Sequence, residues 1–488
     1  MISFIISLLA LIIGYILYGT FVDRVFGPDK DMLTPALTKA DGVDFIPMPT
    51  WKVFMIQFLN IAGTGPIFGA IMGAKFGPAA YLWIVFGCIF AGAVHDYLSG
   101  MVSLRNGGIG LPEIIGKYLG DRTKKVMLAF SVLLLVMVGA VFVYSPAVIL
   151  KDVAGNGTNT AMMMWVGVIF IYYIIATMLP IDKIIGKIYP IFAFALIFMA
   201  IALMVGLFIK WPSIPEFWDG LANRTQSLGG ASQPILPCLF ITIACGAISG
   251  FHATQSPMMA RCLKSEGLGK GVFYGAMITE GMVALVWAAI SSYFFFDGGA
   301  AEVGSDLSAA APVVVTKVST AWLGVFGGIL AMLGVVAAPI TSGDTALRGA
   351  RLIIAEAFSM EQKSIKSRLQ ICIPVFFVAA LILWYNIADA NGFNTIWKYF
   401  GWANQSLSIF TFWALTVFLV KERKGLYYMI TLIPAMFMSA ICTTYLFIDK
   451  TCLGLSEKLS LPIALAVAAG TFILFMVWKS RYDKKIVS

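Results

Sequence analysis

Residues 51–77, WKVFMIQFLNIAGTGPIFGAIMGAKFG, are long and apolar enough to cross a bilayer, yet Gly63-Thr64-Gly65-Pro66 cut the stretch in the middle. In lipid, a broken helix leaves backbone N–H and C=O groups without partners. That is tolerated only where they face protein, a ligand, an ion or water. Pro66 suits the first position of a second half-helix, because its missing N–H would be unpaired there in any case. The stretch therefore predicts half-helix, unwound joint, half-helix. Residues 234–263, PILPCLFITIACGAISGFHATQSPMMARCL, repeat the pattern. Gly246, Ser249 and Gly250 supply the joint, and Ser256-Pro257 reads as an N-cap followed by a proline at the first helical position. Two interrupted spans at corresponding places in two halves point to the binding site of a secondary transporter. Two independently kinked helices are the competing reading.

Composition excludes most other classes. Hydrophobic residues are 60% and charged residues 12% of the 488, about half the charge of a soluble domain. The chain reads as an all-α polytopic membrane protein, with no segment resembling a soluble catalytic or nucleic-acid-binding domain. Its net charge of +9 is assigned to cytoplasmic loops. The seven cysteines lie mostly in apolar segments without C-x-x-C spacing, so packed thiols are expected rather than disulfides or a metal site. Residues 3–22 lack a basic start and a small-x-small cleavage site, so a retained first span is expected.

Stretches of about 20 apolar residues fall at 3–22, 52–76, 79–103, 127–150, 161–180, 189–209, 234–260, 271–296, 322–345, 369–388, 397–420, 426–448 and 459–478. Thirteen spans are thus expected. Taking the connections alternately, 26 of the 34 lysines and arginines fall on one side and 8 on the other. Positive charge stays inside, which places the N-terminus outside and the C-terminus in the cytoplasm of a cell-membrane protein. The two broken helices, 51–76 and 234–262, then enter from opposite sides. Residues 51–209 and 234–420 become two inverted five-helix repeats of LeuT-like plan, flanked by one span and a loop (1–50) and by two C-terminal spans with a tail (421–488). Ile109–Leu119 reads as a short interfacial helix.

At each joint, half-helix N-termini offer free N–H groups to an anion and half-helix C-termini offer carbonyls to a cation. The candidate substrate-binding residues are Asn60, Gly63, Thr64, Gly65, Ser249, Gly250, His252, Thr254 and Gln255, with Tyr144 and Phe251 as an aromatic wall. Each has a purely structural competitor, a bond to a neighbouring helix. Thr341 and Ser342 follow Pro339 in the ninth span. Their hydroxyls suit sodium by the logic of hard-cation ligands, together with carbonyls near Ala62 and Gly65. The alternative is that they bond back to their own helix. Asp344 stands four residues before Arg348, a helical ion-pair spacing that competes with an ionic role. Asp96 and Glu280 are intramembrane carboxylates, each of which costs about 2.5–3.5 kcal/mol if left ionised at mid-span. Both are therefore candidate proton-relay groups. His95 and His252, the only histidines, lack metal-ligand spacing, and His95 reads as a satisfied hydrogen-bonding residue.

The stretches IAGTGPIFGAIMGAKFGPA, AGAVHDY, FITIACGAISGFHATQS, PITSGDTALRGARLI and KYFGWANQSL resemble the carbon starvation protein A (CstA) family in its short form. The resemblance runs from about Trp51 to Val420. It implies a membrane transporter associated with peptide uptake during nutrient limitation, within the amino acid/polyamine/organocation superfamily of LeuT-like folds. Some related members import pyruvate. The resulting expectation is a symporter, not an enzyme, that imports short peptides by alternating access at the two broken helices, driven by a cation gradient. Pyruvate or another small carboxylate or amino acid is the alternative substrate. A channel and an intramembrane enzyme are the rivals; no H-E-x-x-H, paired-aspartate or nucleophile–base signature supports the enzyme. No cofactor or nucleic-acid partner is implied. The partners are a small molecule, membrane lipid and a coupling Na+ or H+.

Overall fold

The computed structural model describes residues 1–181, 185–228, 233–389, 392–423 and 425–487. Among them the regular structure is helical, with no strand. The helices, short turns apart, are α1 (Ile2–Phe26), α2 (Thr50–Ile61), α3 (Thr64–Ala74), α4 (Ala79–Arg105), α5 (Leu111–Leu119), α6 (Asp121–Val153), α7 (Asn159–Met178) and α8 (Ile185–Lys210). Then come α9 (Ile235–Thr242), α10 (His252–Ala260), α11 (Glu266–Phe296), α12 (Ala311–Ala357), α13 (Ile365–Ala388), α14 (Gly392–Glu422), α15 (Met429–Ile448) and α16 (Glu457–Val487). Among the described residues ten helices are long and apolar enough to span a membrane, or eleven if the bent pair α2–α3 counts as one. Large apolar side chains such as Leu17, Ile191 and Leu474 stand exposed on them, as lipid-facing residues do.

Hydropathy places the helices; glycine and proline place their interruptions. In α12 the backbone leaves helical geometry at Gly324 (φ 67°, ψ −172°), a conformation open to glycine and strained for other residues. A short apolar helix, Ala311–Val325, ends at this break. The short helix expected at Ile109–Leu119 forms as α5, with Pro112 in its first turn.

The packing is reciprocal between the two halves. α3 lies on α11 while α10 lies on α4; α8 lies on α12 while α14 lies on α6; α7 contacts α12 while α13 contacts α6. The two long helices α6 and α12 form the most extensive pair. α1 covers α4 and α11, and α15 bridges α14, α16 and α9. Helices α4 and α11 each contain one π-helical turn, Cys88–Gly92 and Lys270–Tyr274. Cys88, Cys245, Cys262, Cys372 and Cys442 are buried free thiols.

Candidate functional site

Both joints form, and they meet. α2 ends at Ile61, the chain turns through Ala62 (φ −81°, ψ 51°) and Gly63 (φ −68°, ψ −147°), and α3 leaves at 47°. This joint is shorter than expected: Pro66 is the third residue of α3, not the first, though still in the turn whose N–H groups lack intrahelical partners. Between α9 and α10 the chain unwinds over residues 243–251. Here the expectation needs a larger correction. α10 starts at His252, so Ser256 and Pro257 lie inside it and do not cap it. Its first turn is instead closed by short-range bonds from His252, Ala253 and Thr254 N–H to Ser249, Gly250 and Phe251 carbonyls. A Cβ on Gly65 would lie 2.4 Å from Cys245 Sγ, and one on Gly246 3.7 Å from Pro66 Cα. The two joints therefore touch.

The second joint is pinned by a residue that the sequence reading passed over. Asn404 of α14 accepts hydrogen bonds on Oδ1 from Ser249 Oγ (3.0 Å) and Phe251 N–H (2.6 Å), and its carbonyl accepts from Gly250 N–H (3.2 Å). A Cβ on Gly250 would sit 2.2 Å from the Asn404 carbonyl oxygen and 2.5 Å from Ser408 N. The Ser249 hydroxyl and the Gly250 and Phe251 N–H groups are thus engaged by α14. The missed signal was an Asn-Gln pair, Asn404-Gln405, inside an apolar span; Gln405 also bonds to the Phe240 carbonyl of α9 (3.1 Å).

Other candidates keep free valences. Both side-chain polar atoms of Asn60, the Thr64 hydroxyl, His252 Nε2 and Gln255 Oε1 are buried without a protein hydrogen-bond partner. In native proteins such orphans are few and mark a ligand, ion or water position. Thr254 donates to the Phe251 carbonyl (2.6 Å) and accepts from Gln255 Nε2 (2.9 Å). The aromatic ring beside the first joint is Phe142, 3.2 Å from a Cβ on Gly63; Tyr144, two positions on, is half-buried.

Around the ninth expected span the hydroxyl pair divides. Ser342 reaches the joint, donating to the Leu59 (3.2 Å) and Asn60 (3.0 Å) carbonyls at the end of α2. Thr341 instead bonds back to Ala337 (3.0 Å) and Ala338 (2.9 Å) in its own helix. Ala62 and Gly65 lie at the joint as expected, but the carbonyls that Ser342 meets are those of residues 59 and 60. Asp344 does not pair with Arg348. Its Oδ2 accepts from Tyr189 OH (2.7 Å), and its Oδ1 has no partner. Arg348 is claimed by Asp44 (3.1 Å), in the loop before α2, and by the Leu179 carbonyl (2.8 Å).

A further cluster surrounds the start of α10. His95 Nδ1 is 2.9 Å from Asp96 Oδ1, and His252 Nδ1 is 3.0 Å from Asp96 Oδ2. His252 Nε2 lies 3.7 Å from Glu280 Oε2, and all four side chains are fully buried. His95 is thus half satisfied: its Nδ1 is bonded and its Nε2 is not. Among the described residues no group of three or more His, Cys, Asp or Glu is arranged to hold a metal ion.

A helical bundle whose two interrupted helices meet at its centre is the architecture of LeuT-like membrane transporters. The fold is similar to that of MhsT in complex with L-phenylalanine (TM-score 0.55, 15% identity, covering 86% of this chain and 97% of that one). It is also similar to the manganese transporter of Eremococcus coleocola (TM-score 0.53, 12% identity, covering 91% and 99%). The chain belongs to the carbon starvation protein CstA family, which it matches over residues 1–167, 148–322 and 298–445. An uncharacterized membrane protein of Haemophilus influenzae is 44% identical over 339 residues, 60% of this chain and 91% of that one. The peptide transporter CstA of Campylobacter jejuni is 26% identical over 557 residues, 90% of this chain and 78% of that one. The pyruvate/proton symporter BtsT of Escherichia coli is 25% identical over 342 residues, 56% of this chain and 46% of that one.

Proposed function

We propose that this protein is a secondary active transporter that imports short peptides, driven by a cation gradient, with its site at the two joints. One observation carries the reading: the joints touch at Gly65 and Cys245, and unpartnered polar atoms of Asn60, Thr64, His252 and Gln255 lie beside them. The N-terminal end of α3 suits a substrate carboxylate, and the carbonyl ends of α2 and α9, with Asn60 Oδ1, suit a substrate ammonium. Counting α2–α3, α9–α10 and the long α12 as one span each beside the ten gives a reading of thirteen spans. Reciprocal packing of the two halves supports a five-plus-five inverted repeat, and lysine and arginine placement supports a cytoplasmic C-terminus. Peptide ranks first because the peptide-transporter relative aligns with 90% of the chain. Pyruvate ranks second, since the symporter relative aligns with 56% and pyruvate carries the same carboxylate.

The test is uptake into proteoliposomes of labelled dipeptide, pyruvate and amino acids under separately imposed sodium and proton gradients. Gradient-driven, saturable accumulation of dipeptide is expected; fast, non-saturable equilibration would identify a channel and overturn the proposal. If sodium drives uptake, Thr341→Ala with Ser342→Ala weakens the sodium dependence through Ser342. Thr64→Val supplies a sharper check. The hydroxyl has no protein partner, so its replacement by a methyl of similar shape leaves stability within about 1 kcal/mol. Dipeptide kcat/KM is nevertheless expected to fall about tenfold, the worth of one substrate hydrogen bond. Unchanged uptake would remove Thr64 from the site.

A further inference from the structure

Four ionisable side chains from three helices close on one point: His95 and Asp96 of α4, His252 at the first position of α10, and Glu280 of α11. Among the described residues the other titratable groups within electrostatic reach are the buried thiols Cys88 and Cys245. Cys88 is bonded to the Met277 carbonyl (3.3 Å) and Cys245 to Ser249 (3.6 Å). Among the described residues no lysine or arginine pairs with Asp96 or Glu280.

The contacts dictate a proton count. Each Asp96 oxygen faces one imidazole Nδ1. An ionised Asp96 accepting from two Nδ1–H groups satisfies all of these atoms. That leaves His252 Nε2 facing Glu280 at 3.7 Å, with no hydrogen-bond partner on that nitrogen or on either Glu280 oxygen. Neutral His252 opposite ionised Glu280 would set a lone pair against a carboxylate, so at least one proton belongs between them. With one proton there, the cluster carries a net charge of −1. With two, Glu280 is a carboxylic acid, His252 is an imidazolium paired with Asp96, and the net charge is zero.

We propose that the His252–Glu280 pair is the proton-loading site of the transport cycle, binding and releasing one proton per substrate. The inference rests on the transport reading above and deepens it. The proton adds to His252 Nε2 or a Glu280 oxygen from water on one side of the membrane and leaves to water on the other; no other bond forms or breaks. The neutral, loaded cluster is the form compatible with burial, because an uncompensated charge at that depth is expensive. The ionised form requires access to water. His252 opens α10, so any movement of that half-helix against α4 and α11 alters the separation that governs proton affinity. The π-helical turns that precede Asp96 and Glu280 on α4 and α11 are irregularities common at functional sites.

The experiment measures protons and labelled dipeptide together, in proteoliposomes holding a pH-sensitive dye. In Glu280→Gln the proton-to-dipeptide ratio is expected to fall by one, and Glu280→Asp should restore it in part. An unchanged ratio in Glu280→Gln overturns the assignment. Where that variant does not fold, unlabelled dipeptide is added to wild-type protein in weakly buffered detergent, from about pH 5 to about pH 8, the range in which histidine titrates. Proton uptake or release on binding is expected, and its absence across the range overturns the proposal. Accumulation driven by sodium with no proton movement removes the proton site and leaves the transport reading intact. Accumulation under neither gradient removes both.

Discussion

Asp44→Asn is expected to destabilise the folded protein by about 3–5 kcal/mol, the cost of stripping one partner from a buried ion network. Asp44 takes Arg348 Nη1 at 3.1 Å and Arg351 Nη2 at 3.0 Å on each oxygen, and both arginines are fully buried. The Asp41 carboxylate pre-shapes the loop by accepting from the N–H groups of Val43 (2.8 Å), Asp44 (2.9 Å) and Phe45 (2.9 Å). Asparagine would keep the shape and lose the charge, leaving two guanidiniums in the interior. The triple replacement Asp44→Leu, Arg348→Met, Arg351→Met removes the whole network and is expected to be less destabilised than Asp44→Asn alone. Burial works against the Asp44 charge, but Arg351, Arg348 and Arg261 outweigh it and hold the carboxyl below its ordinary value. Because the folded-state value is the lower one, this stabilisation is complete above the unfolded value of about 3.9. It is lost only as pH falls through the folded one. Unfolding midpoints in detergent should therefore show a constant gap between wild type and Asp44→Asn at neutral and mildly acid pH, closing only below about pH 4. A gap that closes near pH 6 would place the stabilisation elsewhere.

The second large effect separates two glycines that look alike in sequence. Gly250→Leu is expected to cost about 3 kcal/mol or more, because its Cβ would meet main-chain atoms of Asn404 and Ser408 at 2.2 and 2.5 Å. α14 cannot yield there without surrendering the bonds that Asn404 makes to Ser249 and Phe251. Little folded protein should be recovered. Gly65→Leu meets a side chain, Cys245, at 2.4 Å from Sγ and 2.6 Å from Cβ, and side chains give way more cheaply than backbone. Folded protein with uptake abolished is expected, because the added side chain drives the two joints apart. The milder pair Gly65→Ala and Cys245→Gly provides the cycle: the double variant should recover uptake that Gly65→Ala loses. Equal losses in single and double variants would show that the contact between the joints does not matter for transport.

Much of the plan was legible because its cause is local. An apolar run of sufficient length must lie in lipid, and Gly63 and Gly250 interrupt such runs wherever they sit, so the positions of the helices and of both joints followed from residues a few places apart. The joint boundaries were less legible. Pro66 and Pro257 were read as first helical residues, but α3 starts at Thr64 and α10 at His252. Proline is compatible with the first turn, where Pro66 lies, but Pro257 stands inside α10, so packing at the joint and not the proline set where that helix begins.

Partner choice was not legible. Asp344 and Arg348 have the spacing of an ion pair, yet Arg348 turns to Asp44, some 300 residues away (304 in sequence), and Asp344 to Tyr189. Thr341 and Ser342 are neighbours with the same hydroxyl, but a helix turns by about 100° per residue. Only Ser342 therefore faces the end of α2, while Thr341 bonds to its own helix. By itself the sequence determined the solvent, the class of fold and the two breaks, since these depend on hydropathy and on the backbone freedom of glycine. The tertiary structure alone decided which polar groups the breaks meet, that Asn404 clamps one joint, and that Asp96, His252 and Glu280 share one buried point. The Asn404–Ser249 and Asp96–His252 contacts join residues 155 and 156 positions apart, and only the packing of whole helices brings them within bonding distance.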